Sequence, residues 1–155
     1  MRRFAFAAAF CAVAATASAL AARPVPFKAS IATDVTFTGP CGPTCSINIS
    51  GSGQATHMGR VSIDGPSLID FVTGGQTGTS TLTAADGSKL EIAIAGSFAP
   101  ISATDVMFVG TWTAISGTGR FADSDASGAY RGTASLVTNT GELFIDGTIT
   151  DTGRH

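Results

Sequence analysis

The chain has few basic residues and few histidines, and each scarcity excludes a class of function. Of its 155 residues, nine are Lys or Arg and two are His. The basic residues are scattered, whereas nucleic-acid binding needs a clustered basic face. With His57 and His155 as the only histidines, a metal site built on several histidine ligands is excluded. We therefore expect no nucleic-acid partner, no metal and no cofactor.

Long apolar runs are also scarce, and the one that is present lies at the N-terminus. Two arginines precede an uncharged apolar run at positions 4–17, which is shorter than the roughly 20 residues of a membrane-spanning helix. Small residues around Ala17-Ser18-Ala19 fit a signal-peptidase site. Residues 1–22 are therefore predicted to be a bacterial signal peptide and residues 23–155 the mature domain. We expect a secreted or periplasmic protein that begins at Leu20, Ala22 or Arg23 and has no stable membrane span.

Of three cysteines, Cys11 lies in the predicted leader, which leaves Cys41 and Cys45. Their C-x-x-x-C spacing lies in a Gly/Pro loop, whereas thioredoxin-like chemistry uses C-x-x-C at the start of a helix. In an oxidising compartment a nearby pair is usually bonded. The sequence thus predicts a structural disulfide between Cys41 and Cys45.

Alternation with a period of two dominates the mature chain, and a helical period is almost absent. Phe27, Ile31 and Val35 share one face of a segment whose other face carries Lys28 and Asp34. About eight such segments follow one another at regular spacing, which is typical of a sandwich or barrel. Glycines within these segments weaken strand pairing unless the backbone must coil sharply. The sequence therefore predicts an all-β fold, a single antiparallel barrel of about eight strands, whose interior is filled by side chains or holds one small ligand.

Two local patterns give more detailed expectations. Gly65-Pro66 follows the alternating residues 60–64 and is expected to end that strand before a separate short apolar segment at residues 68–72. The segment that contains Met107, Val109 and Ile115 is apolar on both faces, so we expect it to be covered on both sides.

The stretch GTGRFADSDASG, residues 117–128, matches two ligand-binding motifs incompletely. Its start fits G-x-G-x-x-A, but a dinucleotide site needs a following helix, and there is room here for barely one helical turn. Asp123, Asp125, Ser127 and Gly128 match calcium-loop positions 1, 3, 5 and 6, whereas the glutamate required at position 12 falls on Ala134. Neither motif is complete.

The same stretch is also explained as a connection between two strands at one end of the barrel, which we term the corner. Gly117 and Gly119 permit the chain to leave a strand, and Gly128 allows it to enter the next one. Arg120 and Phe121 would form a helical turn, and the phenyl ring of Phe121 would fill one end of the barrel interior.

Residues of this stretch, together with a second segment, also resemble the motifs of a known family. GTGRFA and the segment ATHMGR, residues 55–60, resemble motifs of bacterial allene oxide cyclase barrel-like proteins. More distantly the chain is similar to dirigent proteins and plant allene oxide cyclases. The resemblance covers nearly the whole mature chain and implies an eight-strand barrel. It also implies a function in which a reactive apolar intermediate is confined inside the barrel.

Four residues are candidates for a ligand site. Trp112 and Tyr130 are large aromatics expected in the core or at a cavity wall. His57 is a structural residue or a ligand contact, and Glu91 could act as an acid or base if another carboxylate, from Glu142 or Asp146, faced the same cavity.

Two functional hypotheses remain. One is a non-enzymatic barrel that binds a small apolar ligand or a protein surface. The other is an isomerase or cyclase that confines an apolar intermediate. The lack of an identifiable acid/base set favours the first.

Overall fold

The computed structural model describes residues 23–150, which form one closed barrel of eight antiparallel strands. Each strand pairs with the next, and the last pairs with the first. The predicted barrel is confirmed. The predicted leader, residues 1–22, lies outside the described residues. The strands are β1 (Pro24–Phe37), β2 (Thr44–Ala55), β3 (Gly59–Asp70), β4 (Gly75–Ala84), β5 (Lys89–Pro100), β6 (Asp105–Gly117), β7 (Ala126–Ser135) and β8 (Thr140–Thr150).

The period-two pattern decides which residues face the interior. In β1, Phe27, Ala29 and Ile31 are buried, while Lys28 and Ser30 between them are exposed. Successive side chains of a strand point to opposite faces of the sheet, so the apolar set of each strand faces the barrel axis.

The prediction that Gly65-Pro66 ends a strand is wrong, because β3 continues through both residues. Pro66 has no N–H to donate, yet it still lies opposite Asn48 of β2. Pairing with β4 continues at Ser67, opposite Gly78, in an unchanged register. Pairing on both sides of the proline thus keeps the strand intact.

The prediction that β6 is covered on both faces is also wrong. Met107 and Val109 are each 42% exposed and Ile115 is 53% exposed. The eight strands form a single closed layer, so nothing in residues 23–150 packs on the outer face of this strand.

The two ends of the barrel differ. The loops at residues 38–43, 71–74, 101–104 and 136–139 surround one end, which we term the mouth. The turns at 56–58, 85–88 and 118–125 form the other, closed end. There the interior is filled by a packed core that includes Phe27, Met58, Leu82, Leu90 and Phe121.

The stretch 117–128 connects β6 to β7 at the closed end. Gly117 ends β6, a single 3₁₀ turn spans Gly119–Phe121, and Gly128 lies in β7. Gly119 has a φ of 60°, which favours glycine. Arg120 pairs with Asp86 at 3.3 Å. Phe121 is 5% exposed and belongs to the core.

Candidate functional site

A cavity of about 380 Å³ occupies the barrel between the packed core and the mouth. Small-molecule sites generally measure roughly 300–1,000 Å³. All eight strands contribute to its wall, mainly with aliphatic and aromatic side chains such as Ile47, Ile94, Phe108 and Leu143. The cavity therefore has the size and the surface chemistry of a site for a small apolar molecule.

Trp112 and Phe27 lie where the cavity meets the closed end. Trp112 is 1% exposed and lines the cavity, and its ring centroid lies 5.5 Å from that of Phe27, which belongs to the core beneath. The indole N–H donates to the carbonyl oxygen of Asp146 at 3.2 Å. A buried tryptophan generally needs such a partner, so this bond helps to hold the ring in place.

Tyr130 lies across the wall of the cavity and reaches Gln76 three strands away. Gln76, Gly96, Gly110 and Tyr130 are successive neighbours on β4 to β7, and we term these four residues the polar row. The Tyr130 hydroxyl donates to Oε1 of Gln76 at 3.3 Å. A Cβ atom would lie 2.5 Å from this hydroxyl at Gly96 and 2.6 Å from ring atom Cε1 at Gly110. A Cβ atom would also meet the backbone carbonyl oxygen of Val109 at Gly96 and that of Ala95 at Gly110, so the two glycines permit both the close strand pairing and the position of the tyrosine ring.

The cavity wall carries no formal charge. Among the residues that the structure describes, none that lines the cavity is Asp, Glu, His, Lys or Arg. Burial raises the pKa of Tyr130 to about 12, so its phenol is protonated at neutral pH. Gln76, Thr33 and Ser80 contribute further uncharged polar groups. On β3, the buried Ser67 Oγ has no hydrogen-bond partner within residues 23–150.

The mouth has loops that are rich in exposed apolar side chains. None of its four loops contains a charged residue. Cys41, which lines the cavity, is bonded to Cys45, which confirms the predicted disulfide. Phe71 packs edge-on against Phe98 at 5.4 Å between centroids. Other large apolar side chains at this end are also exposed, namely Phe37, Val72, Ile101, Leu136 and Val137.

The structure brings two of the four candidate residues to the cavity. Trp112 and Tyr130 line it. His57 is exposed in a turn at the closed end, where Nε2 lies 3.0 Å from the carbonyl oxygen of Pro26. Glu91 is on the outer face of β5 and accepts a hydrogen bond from Ser116 at 2.7 Å. His57 and Glu91 therefore do not share a site with the aromatics.

The other carboxylates considered also lie outside the cavity. Asp146 forms an exposed ion pair with Lys28 at 3.7 Å, and Glu142 is exposed on β8. Gln76 was not among the candidate residues that the sequence suggested. A signal was present, because Gln76 is in phase with the inward-facing Leu82 and Ala84 of the same strand.

Within residues 23–150 no three His, Cys, Asp or Glu side chains are grouped so as to hold a metal ion. The same stretch contains no helix whose length and apolarity would let it span a membrane.

The barrel is similar to a solved structure of the pterocarpan synthase dirigent protein GePTS1. The TM-score is 0.53 at 12% sequence identity, over 94% of this chain and 99% of that chain. At such low identity the likeness shows the fold alone. No protein-family model matches the chain, and no curated protein does so. The molecule is thus a dirigent-like β-barrel, and the expected likeness to dirigent proteins is confirmed at the level of the fold.

Proposed function

We propose that this protein is a secreted or periplasmic barrel that binds a small apolar ligand in its cavity without converting it. The observation that carries the proposal is the cavity of about 380 Å³, which is lined mainly by apolar side chains and reaches a mouth whose loops contain no charged residue and expose several large apolar side chains. An apolar molecule would enter the cavity from water through this mouth, whose loops contain no charged side chain. Transfer of its surface out of water would provide the driving force.

The proposal also includes the location of the protein and the family with which it is placed. The Cys41–Cys45 disulfide is compatible with an oxidising compartment, and the leader-like residues 1–22 would direct the chain there. The motifs at residues 55–60 and 117–122 support placing the protein with bacterial allene oxide cyclase barrel-like proteins.

Binding without conversion is favoured by the proton chemistry of the cavity. General acid–base catalysis works best with a group whose pKa is near the operating pH. Among the described residues that line the cavity, Tyr130 is the one with a titratable acid–base side chain, and burial raises its pKa to about 12. Its phenol could donate a hydrogen bond but would be a poor base at neutral pH.

A confining isomerase or cyclase is the second candidate. It is favoured by the fold shared with a protein described as a pterocarpan synthase. Such an enzyme would need few catalytic groups, because confinement in the cavity would orient the reactive intermediate. Recovery of a co-purified ligand in altered form after incubation would support this candidate over simple binding.

Uptake of the uncharged dye N-phenylnaphthylamine tests the proposal. Trp112 is the single tryptophan of the chain and lines the cavity, so energy transfer from its indole detects a dye bound to the barrel, and the variants below test whether the dye lies in the cavity. We expect the wild type to bind the dye. Ala134→Phe, which adds a ring inside the cavity, should lose most of this uptake.

Thr133→Phe is the matched control, since Thr133 is the exposed neighbour of Ala134 on the same strand. It adds the same ring outside the barrel and should bind the dye as the wild type does. Thermal melts verify that each variant is folded. Absence of energy transfer in the wild type, or equal uptake by both variants, would contradict the proposal.

A further inference from the structure

We infer that the cavity selects an uncharged ligand with an apolar body and a hydroxyl or carbonyl group, and that this group binds at the Tyr130–Gln76 pair of the polar row. The inference rests on the proposed function, because it names the ligand class of the same cavity. The glycine-dependent placement of Tyr130, the hydrogen-bonding capacity of the pair and the lack of charge in the wall support it.

The polar row leaves space for a large aromatic side chain at the cavity wall. Glycine in the interior of a strand weakens it, yet both Gly96 and Gly110 lie beneath the ring of Tyr130. Neither position would admit a side chain without displacing this ring. The two glycines thus leave space for the phenol ring at the wall, and its hydroxyl lies beside Gln76, 54 residues away in the chain.

The Tyr130–Gln76 pair can both donate and accept hydrogen bonds. The Tyr130 hydroxyl donates to the amide oxygen of Gln76, and both side chains line the cavity. A phenol oxygen also accepts hydrogen bonds, and a glutamine amide has two N–H donors. The pair therefore offers donor and acceptor groups to a ligand at one place. A ligand hydroxyl could both donate a hydrogen bond to the pair and accept one from it, and a ligand carbonyl could accept one from it.

The cavity wall, as far as the structure describes it, offers no counter-charge to an ionised ligand. None of the side chains that the structure places around the cavity is ionised at neutral pH. An ionised carboxylate or ammonium group in such surroundings loses its hydration without gaining an ionic partner. Fatty acids and amines in their charged forms are therefore poor ligands, whereas neutral alcohols, phenols and ketones are suitable.

Displacement of N-phenylnaphthylamine by three matched compounds tests the inference. Naphthalene has no polar group, naphthol has a neutral hydroxyl, and naphthoate has a charged carboxylate at the same ring position. At neutral pH we expect naphthol to displace the dye from the wild type. Naphthoate should not do so at concentrations at which naphthol displaces it fully.

Variants of Tyr130 and Gln76 then distinguish the contribution of hydrogen bonding to ligand affinity from that of side-chain shape. Tyr130→Phe keeps the ring and removes the hydroxyl, and Gln76→Met keeps the length and removes the amide. Each should weaken naphthol binding about three- to tenfold more than naphthalene binding, the ratio expected for one lost hydrogen bond. Thr133→Val removes a hydroxyl from the outer face of β7 and should leave the binding of both compounds unchanged.

The outcomes distinguish failure of the inference from failure of the proposed function. If the wild type does not take up the dye, the proposed function is wrong and the inference falls with it. If the dye binds but both variants lower naphthol and naphthalene affinity by equal factors, the pair is structural only and the inference is overturned. Naphthoate binding as tight as that of naphthol would also overturn it.

Discussion

At the scale of single residues, Tyr130 has a signature that can be measured directly, since it is the only tyrosine of the chain. Burial raises its pKa from 10.0 to about 12. We predict that the phenolate absorbance of the folded protein has its titration midpoint near 12, compared with about 10 after denaturation. A midpoint near 10 in the folded protein would contradict this assignment.

The same shift affects stability at alkaline pH. A folded-state pKa above the unfolded value means that the stabilisation is fully present below pH 10.0 and is lost as the pH rises towards 12. The melting temperature of the wild type should therefore fall over this interval relative to that of Tyr130→Phe. Parallel declines in the two proteins would show that Tyr130 is not responsible.

At the scale of structural elements, the corner between β6 and β7 is expected to stabilise the closed end mainly through Phe121. This ring is part of the packed core, and truncation of a buried phenylalanine to alanine typically costs about 3–5 kcal/mol. The total stability of a domain is about 5–15 kcal/mol. We predict that Phe121→Ala strongly lowers the melting temperature.

Asp125→Ala is the control in the same corner. Asp125 is bonded to Thr150 through its backbone atoms, with its N–H donating to Oγ1 at 2.7 Å and its carbonyl accepting from the Thr150 N–H at 2.7 Å. This substitution should change the melting temperature little, with calcium or with chelator. A calcium-dependent rise in the wild type that disappears in Asp125→Ala would instead indicate a metal site.

The mouth loop that contains the disulfide makes a second element-scale prediction. Cys41 and Cys45 are four positions apart, so their bond closes a very short loop. It should contribute less than the ~3 kcal/mol expected for a loop of about 15 residues. Denaturation of the oxidised and the reduced protein measures this difference, and a loss above that value would contradict the loop-closure explanation. Thiol titration of the denatured, unreduced protein should find no free thiol at these positions.

At the scale of the whole molecule, we predict that the protein is exported and that its leader is removed. The leader-like residues 1–22 lie outside the described structure, so their role rests on the sequence alone. We predict that protein from the periplasm or medium begins at Leu20, Ala22 or Arg23, because the apolar run and the small-residue cleavage sites coincide. N-terminal sequencing tests this, and an intact Met1 on exported protein would refute it.

The whole barrel is also divided into two halves with different properties. The closed half is filled by large side chains such as Phe27, Leu82 and Leu90, and the other half contains the cavity. Side chains that border an empty space lack contact partners on that side. The packed half therefore provides most of the interior contacts, while the mouth half is available for a ligand.

The sequence by itself was sufficient for the eight-strand fold, most interior faces and the disulfide, but not for the continuity of β3 through Pro66 or the exposed outer face of β6. These features depend on local rules: period-two alternation assigns Phe27 and Ile31 to the interior, and four positions are a short enough distance for Cys41 and Cys45 to bond. Trp112 could also be selected as a cavity candidate, because it is a large aromatic on an alternating strand.

Only the tertiary structure decided which side chains share the cavity. Gln76 meets Tyr130 through three strand registers, and His57 and Glu91 are directed away from both. A register depends on pairing between distant segments, and a shift of one residue would reverse every face. The size of the cavity likewise depends on how the side chains of eight strands meet at the barrel axis, which no local pattern specifies.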